Sequence, residues 1–278
     1  MFSKFFKYEF KSVSKFGVPL LIAAILLGVL LDVSIVLLFL PLVMQIPDQL
    51  MIVMSIMGSI VLMVSILALV AISVVALVLL LKRYYDSTVT AEGYLTFTLP
   101  VTQSDIFLAK FLNAWIWSIF FGVVVIIDFI GVILTLTAVG NIPWPDWGQL
   151  FQEIIAEFES LGILSIFEPW QWTSFIVCGV LIMLLAEPLS LMLWFTIITI
   201  ASILVKKNRI LVMIVLFYGW SFVSGIVMSV FQTILMLSGN PALLTIVFEW
   251  LYLVAIIGLL IGGYFLNKHL LIKKLNLE

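Results

Sequence analysis

Three carboxylates, Asp32, Asp128 and Glu187, fall deep inside long apolar stretches of this 278-residue chain. A carboxylate at the centre of a bilayer costs about 2.5–3.5 kcal/mol on insertion scales. No Lys or Arg lies at comparable depth to offset that cost. Two chemistries remain. Each group is neutral and hydrogen-bonded to Ser, Thr or Trp neighbours, or it faces a water-filled pathway where it touches cargo or passes a proton. Glu187 is the sharpest case, because Pro188 follows it. A proline frees a backbone carbonyl and can kink a helix where the acid sits, so the pair is a pathway or gating candidate. Asp32 and Asp128 lie nearer the outer half.

Other chemistries are excluded early. One cysteine, Cys178, and one histidine, His269, rule out an intrachain disulfide, a Cys/His metal cluster and an HExxH site. No metal-binding or catalytic residue is expected. A Ser-His-Asp triad would have to use His269, which lies beyond the last apolar run. There is no GxxxxGK[ST] loop, so the chain has no nucleotide site of that kind.

The elements that position the acids follow from composition. With 64% hydrophobic and 10% charged residues, this is an all-α integral membrane protein rather than a soluble domain. Spans are expected near 18–40, 50–81, 106–137, 173–205, 210–237 and 244–266. Several exceed the ~20 residues needed to cross a bilayer, so they tilt, kink or project beyond it. The first run is too long for a cleavable signal peptide and reads as a retained span. The short alternating segments of a β-barrel do not occur. The whole of 1–278 reads as a single membrane domain.

Charge sets the expected direction. All thirteen basic residues fall before span one (Lys4, Lys7, Lys11, Lys15), on either side of the connection between spans two and three (Lys82, Arg83, Lys110), between four and five (Lys206, Lys207, Arg209) or after six (Lys268, Lys273, Lys274). The alternate connections hold none. Cytoplasmic loops carry the positive excess, which places both termini inside. Seven of the fifteen acids (Asp48, Asp146, Glu153, Glu157, Glu159, Glu168, Glu249) then lie at or beyond the outer boundary. The simplest account is that acids are tolerated where bases are selected against; the functional one is attraction of a cationic ligand.

Three segments outside the spans carry pattern. Residues 1–17 place Phe2, Phe5, Phe6, Phe10, Val13 and Phe16 on one helical face and four lysines on the other, as expected for a helix lying in the inner interface. Glu9 falls on the apolar face and needs a partner, for which Arg83 and Lys82 are candidates; otherwise it snorkels or faces another subunit. In the inner segment 82–105, Glu92-Gly93 offers a turn, Pro100 stops a helix, and Thr102-x-x-Asp105 resembles a capping box. The segment exposes Tyr94, Leu95, Phe97 and Leu99. It is either a docking surface or a short helix anchored to headgroups. The outer segment 138–172 contains an amphipathic helix framed by Trp144, Trp147, Trp170 and Trp172, like an outer aromatic belt.

Two of these stretches resemble a known family. FFKYEFK at the N-terminus and AEGYLTFTLPVTQSDIFLAKFLNAWIW after span two are similar to the corresponding parts of bacterial ABC exporter membrane subunits, the type-2 permeases. The resemblance covers about 45 residues closely, together with the six-span layout. It implies a transport subunit rather than an enzyme, with ATP and Mg held by a separate cytosolic ABC ATPase subunit. It further implies a second permease subunit, like or unlike, in a bacterial cytoplasmic membrane, with lipid as the only other surroundings and no nucleic acid. By resemblance, Glu92, Gly93, Tyr94, Leu95, Phe97, Leu99 and Pro100 dock the ATPase, and Phe6, Glu9 and Phe10 contribute contacts from the N-terminal elbow. One departure is plain: the long outer segment joins spans three and four, whereas the better-known branch of this fold carries it before the last span.

The expected function is therefore a permease subunit of an ATP-driven exporter, with peptides or lipophilic antimicrobials as cargo. Two rivals are a proton-coupled secondary transporter relaying through Asp32, Asp128 and Glu187, and a non-transporting immunity or sensor protein.

Overall fold

A computed structural model of the protein describes residues 2–44, 47–98, 100–139, 149, 152–153, 156–157, 168–205, 207–237 and 241–273. Within these the chain is all helix. Six helices are long and apolar enough to cross a membrane: α1 (Phe2–Val43), α2 (Asp48–Val89), α4 (Gln103–Val139), α5 (Pro169–Leu204), α6 (Arg209–Leu237) and α7 (Pro241–Lys273). A seven-residue helix, α3 (Ala91–Phe97), joins α2 to α4. The protein is multi-pass, as its composition demands.

The ends of the helices follow local chemistry. Thr102 caps α4: its hydroxyl oxygen accepts from the Asp105 amide at 3.2 Å, giving one half of the expected capping box. Pro169 opens α5 in the position where a missing N–H costs nothing. Glu168 precedes it, and its amide donates to Gln171 Oε1 at 2.8 Å. Between α5 and α6 the chain reverses through Asn208, whose φ of 62° is the left-handed conformation that asparagine tolerates better than most residues.

Three expectations change. Residues 2–17 are not a separate interfacial helix, because α1 runs unbroken from Phe2 through Pro19 to Val43. Membrane helices accommodate proline because neighbouring groups and local adjustments re-satisfy the freed backbone. The lysines Lys4, Lys7, Lys11 and Lys15 are exposed as expected, and part of the apolar face packs within the chain. Val13 packs with Leu80 and Trp117, and Phe10 and Phe16 line the same cluster. Finally, most of 82–105 is helical, since α2 continues to Val89 and Glu92-Gly93 lies within α3 instead of forming a turn.

The chain divides into two compact units, with boundaries inside α2 and α4. One comprises Ser3–Arg83 and Ile116–Gln149; the other comprises Met1–Phe2, Tyr84–Trp115 and Leu150–Glu278. In the first, α1 and α4 run parallel: Phe10 meets Trp117 with ring centroids 5.4 Å apart, and Gly28 lies against Asp128. α2 opposes α1, bringing Arg83 to Glu9 and Gly58 to Leu38. In the second, α5 and α7 run parallel, with Thr196 beside Asn267 and Ser174 beside Trp250. α6 opposes both, as Trp194 stacks on Phe217 and Phe231 meets Phe248. Each pair of consecutive long helices that meets within a unit therefore alternates in direction.

The outer amphipathic segment falls largely outside the described residues. Between its ends, which belong to α4 and α5 and include Trp170 and Trp172, only Gln149, Gln152, Glu153, Ala156 and Glu157 are described, all helical and exposed. Trp144 and Trp147 lie outside the described residues.

Candidate functional site

The connection α3 is built from the end of α2. Thr90 is its N-cap, accepting from the Glu92 amide at 3.4 Å through its hydroxyl and from the Gly93 amide at 2.8 Å through its carbonyl. The same hydroxyl donates back to Asp86 O at 2.5 Å, tying the cap to α2. Gly93 is required by proximity: a Cβ there would lie 2.6 Å from the Thr88 carbonyl oxygen, so only glycine lets α3 fold this closely onto α2. The seating orients the remaining side chains. Thr96 is buried, Phe97 is half-buried, and Tyr94 and Leu95 are 60% and 65% exposed. Glu92 and Pro100 are exposed; Leu99 lies outside the described residues.

Beneath α3 is a buried polar layer that spacing alone did not reveal. Thr199 donates to Phe195 O at 2.8 Å, so the Tyr84 hydroxyl, 2.9 Å away, is the donor to Thr199 Oγ1. The Tyr84 ring stacks on Phe195 at 3.9 Å. Lys110, 4% exposed, donates from Nζ to Ser87 Oγ at 2.6 Å. On α7, Asn267 is fully buried and its Nδ2 donates to Thr196 Oγ1 at 2.7 Å and to Gly263 O at 2.8 Å. Four helices, α2, α4, α5 and α7, are thus cross-linked at one set of ends. The signal in the sequence was a polar residue in each apolar helix end, but the partner of each lies 23 to 115 residues away.

The other unit holds a different arrangement. Asp128 of α4 lies against Gly28 of α1, at a spot that a Cβ on Gly28 would occupy, and Asp32 of α1 lies against Gly131 of α4 in the same way, 2.9 Å from where a Cβ would be. Each helix supplies a glycine that receives the other's carboxylate one turn along. Asp32 also bonds the Thr135 side chain. Asp32 Oδ1 and Asp128 Oδ2 are enclosed and find no partner among the described residues. Small residues at such seams allow the backbones to approach where hydrophobicity cannot drive association.

Of the predicted site residues, Asp32 and Asp128 are therefore brought together. Glu187 is not placed with them: it is in the other unit, exposed, with Pro188 buried inside an uninterrupted α5. Among the elbow residues, Glu9 is 5% exposed and pairs with Arg83 at 3.5 Å, the partner its position called for. Phe6 packs near Phe10, which in turn meets Trp117, so this face is used within the chain. Glu249, read as a residue of the outer boundary, is half-buried and encloses a carboxylate oxygen without a partner among the described residues. No group of three or more His, Cys, Asp or Glu able to hold a metal occurs among the described residues.

No family model, curated protein or solved structure matches the chain.

Proposed function

We propose that the protein is the membrane-spanning subunit of an ATP-binding cassette exporter in a bacterial cell membrane, two such subunits working with two cytosolic ATPase chains. The observation that carries this reading is α3, a capped helix wedged between two long spans that presents Tyr94 and Leu95 outward from a buried polar base. A partner gripping these side chains would gain a lever on α2 and α4 together. The basic helix ends face the cytoplasm in this reading, and the exterior is anionic, which suits a cationic peptide or lipophilic antimicrobial as cargo. ATP and Mg belong to the partner.

The test is co-purification of an ATPase subunit from native membranes. The double change Tyr94→Asp with Leu95→Asp abolishes retention of the ATPase while leaving the permease folded. If no ATPase accompanies the wild-type chain, the exporter reading fails. Glu187→Gln is expected to lower transport and cargo-stimulated ATP hydrolysis with normal assembly; unchanged activity assigns Glu187 a passive position.

The seam of Asp32 and Asp128 favours a second reading, a proton-coupled transporter. Collapsing the proton gradient while supplying ATP separates the two. Transport persists for the exporter and stops for the proton-coupled carrier, in which Asp128→Asn would be equally inactive.

A further inference from the structure

Between the last turns of α2 and the first turn of α6 lies an open cleft of about 680 Å³, lined by Tyr85, Asn208, Arg209, Ile210, Leu211 and Ile214. Its lining is divided by chemistry. Arg209, Tyr85 and Asn208 contribute polar groups, and Ile210, Leu211 and Ile214, which are 72%, 60% and 51% exposed, contribute apolar surface. Arg209 is held in place. Its Nε donates to Val205 O at 3.2 Å and its Nη1 to Tyr85 Oη at 3.5 Å. Nη2 has no partner among the described residues, and no carboxylate lines the cleft. The start of α6 adds the positive end of a helix dipole. The site also lies where two candidate membrane spans are joined by a short turn, and the ends of such spans meet the headgroup region of a bilayer.

We propose that this cleft binds an anionic phospholipid, with the headgroup phosphate on Arg209 and Tyr85 and an acyl chain along Ile210, Leu211 and Ile214. A bidentate guanidinium suits a phosphate. A free phosphate would leave the apolar wall unused, and a zwitterionic phospholipid would bring its own headgroup cation up beside Arg209. A fixed arginine with an apolar slot beside it differs from a diffuse basic surface, which attracts anionic lipid by charge alone. Lys207, exposed next to the cleft and not part of its lining, serves as the comparison. The inference is independent of what drives transport.

The experiment is native mass spectrometry of the intact protein released from vesicles of phosphatidylcholine containing phosphatidylglycerol, counting retained anionic lipid. Wild type retains one tightly held phosphatidylglycerol per chain. Arg209→Gln retains about fivefold less, the factor expected for one cation at the membrane surface. Tyr85→Phe, which keeps the charge and the fold, shows a smaller loss in the same direction, and Lys207→Gln retains lipid as wild type does. Equal retention by wild type, Arg209→Gln and Tyr85→Phe overturns the proposal. So does a loss as large in Lys207→Gln as in Arg209→Gln, which would mean surface charge alone. Displacement of the lipid by millimolar inorganic phosphate would also overturn it, making the site one for free phosphate.

Discussion

Two polar clusters, one in each unit, differ in how their groups are met, although Asn267 Oδ1 in the first is also buried without a partner among the described residues. The layer around Tyr84, Thr199, Lys110 and Asn267 puts its donors to use, each meeting an acceptor on another helix or one turn away. The Asp32–Asp128 seam encloses two carboxylate oxygens that no described residue satisfies, held by glycines that leave room for nothing larger. An interhelical hydrogen bond in a membrane is worth about 0.6 kcal/mol, rarely above ~1.7. The first region therefore contributes many small stabilising contacts. The second depends on shape, and its polar groups cost rather than contribute.

This contrast can be broken at several points. The largest effect is expected at the seam. Gly28→Leu forces Asp128 out of its seat and should destabilise by about 1–3 kcal/mol, as overpacking does, seen as a lower midpoint of thermal unfolding in detergent. Adding Asp128→Ala to Gly28→Leu should recover much of the loss. A double change as unstable as the sum of the two single ones would mean that the seam is not shape-limited. In the polar layer, Tyr84→Phe keeps the stack on Phe195 and removes only the bond to Thr199. Its cost is expected near 0.6 kcal/mol, well below that of Gly28→Leu. A cost above ~2 kcal/mol would show that the layer is far more cooperative than its separate bonds. The smallest effect belongs to Glu9→Gln. The pair with Arg83 is 3.5 Å long and its arginine is partly exposed, so chemical denaturation should register about 0–1 kcal/mol.

The sequence was most legible where the physics is local or periodic. Six spans follow from length and hydrophobicity. The phase of a helix was enough to put Glu9 on the apolar face, and of its two candidate partners, Arg83 and Lys82, the structure pairs it with Arg83. Thr102 at the start of α4 was readable because a cap is a contact over three residues. A short helix between α2 and α4 was one of two readings, but the bounds of α3 were not readable, because seven residues are less than two turns and leave no periodic pattern. Hydropathy put Asp32 and Asp128 well within their spans but not at any angular position, since nearly every neighbour in their helices is apolar. Their meeting depends on Gly28 and Gly131, single glycines that carry no signal of what they face across the seam. The bond from Tyr84 to Thr199 joins two helices far apart in sequence, so no window along the chain holds both residues.

One feature of α2 has mechanical weight. It is a single helix of 42 residues with no proline, about 63 Å long at ~1.5 Å per residue, twice the ~30 Å hydrocarbon core. Such a rod transmits rotation with little bending. A tilt of about 10° around its midpoint moves the Val89 end sideways by roughly 5 Å, about the pitch of one helical turn. α3 is fastened to that end through Thr90 and Gly93. A small rotation inside the bilayer is thus amplified at α3 into a displacement of one helical turn, and a push on α3 is geared down into a fine adjustment of the span.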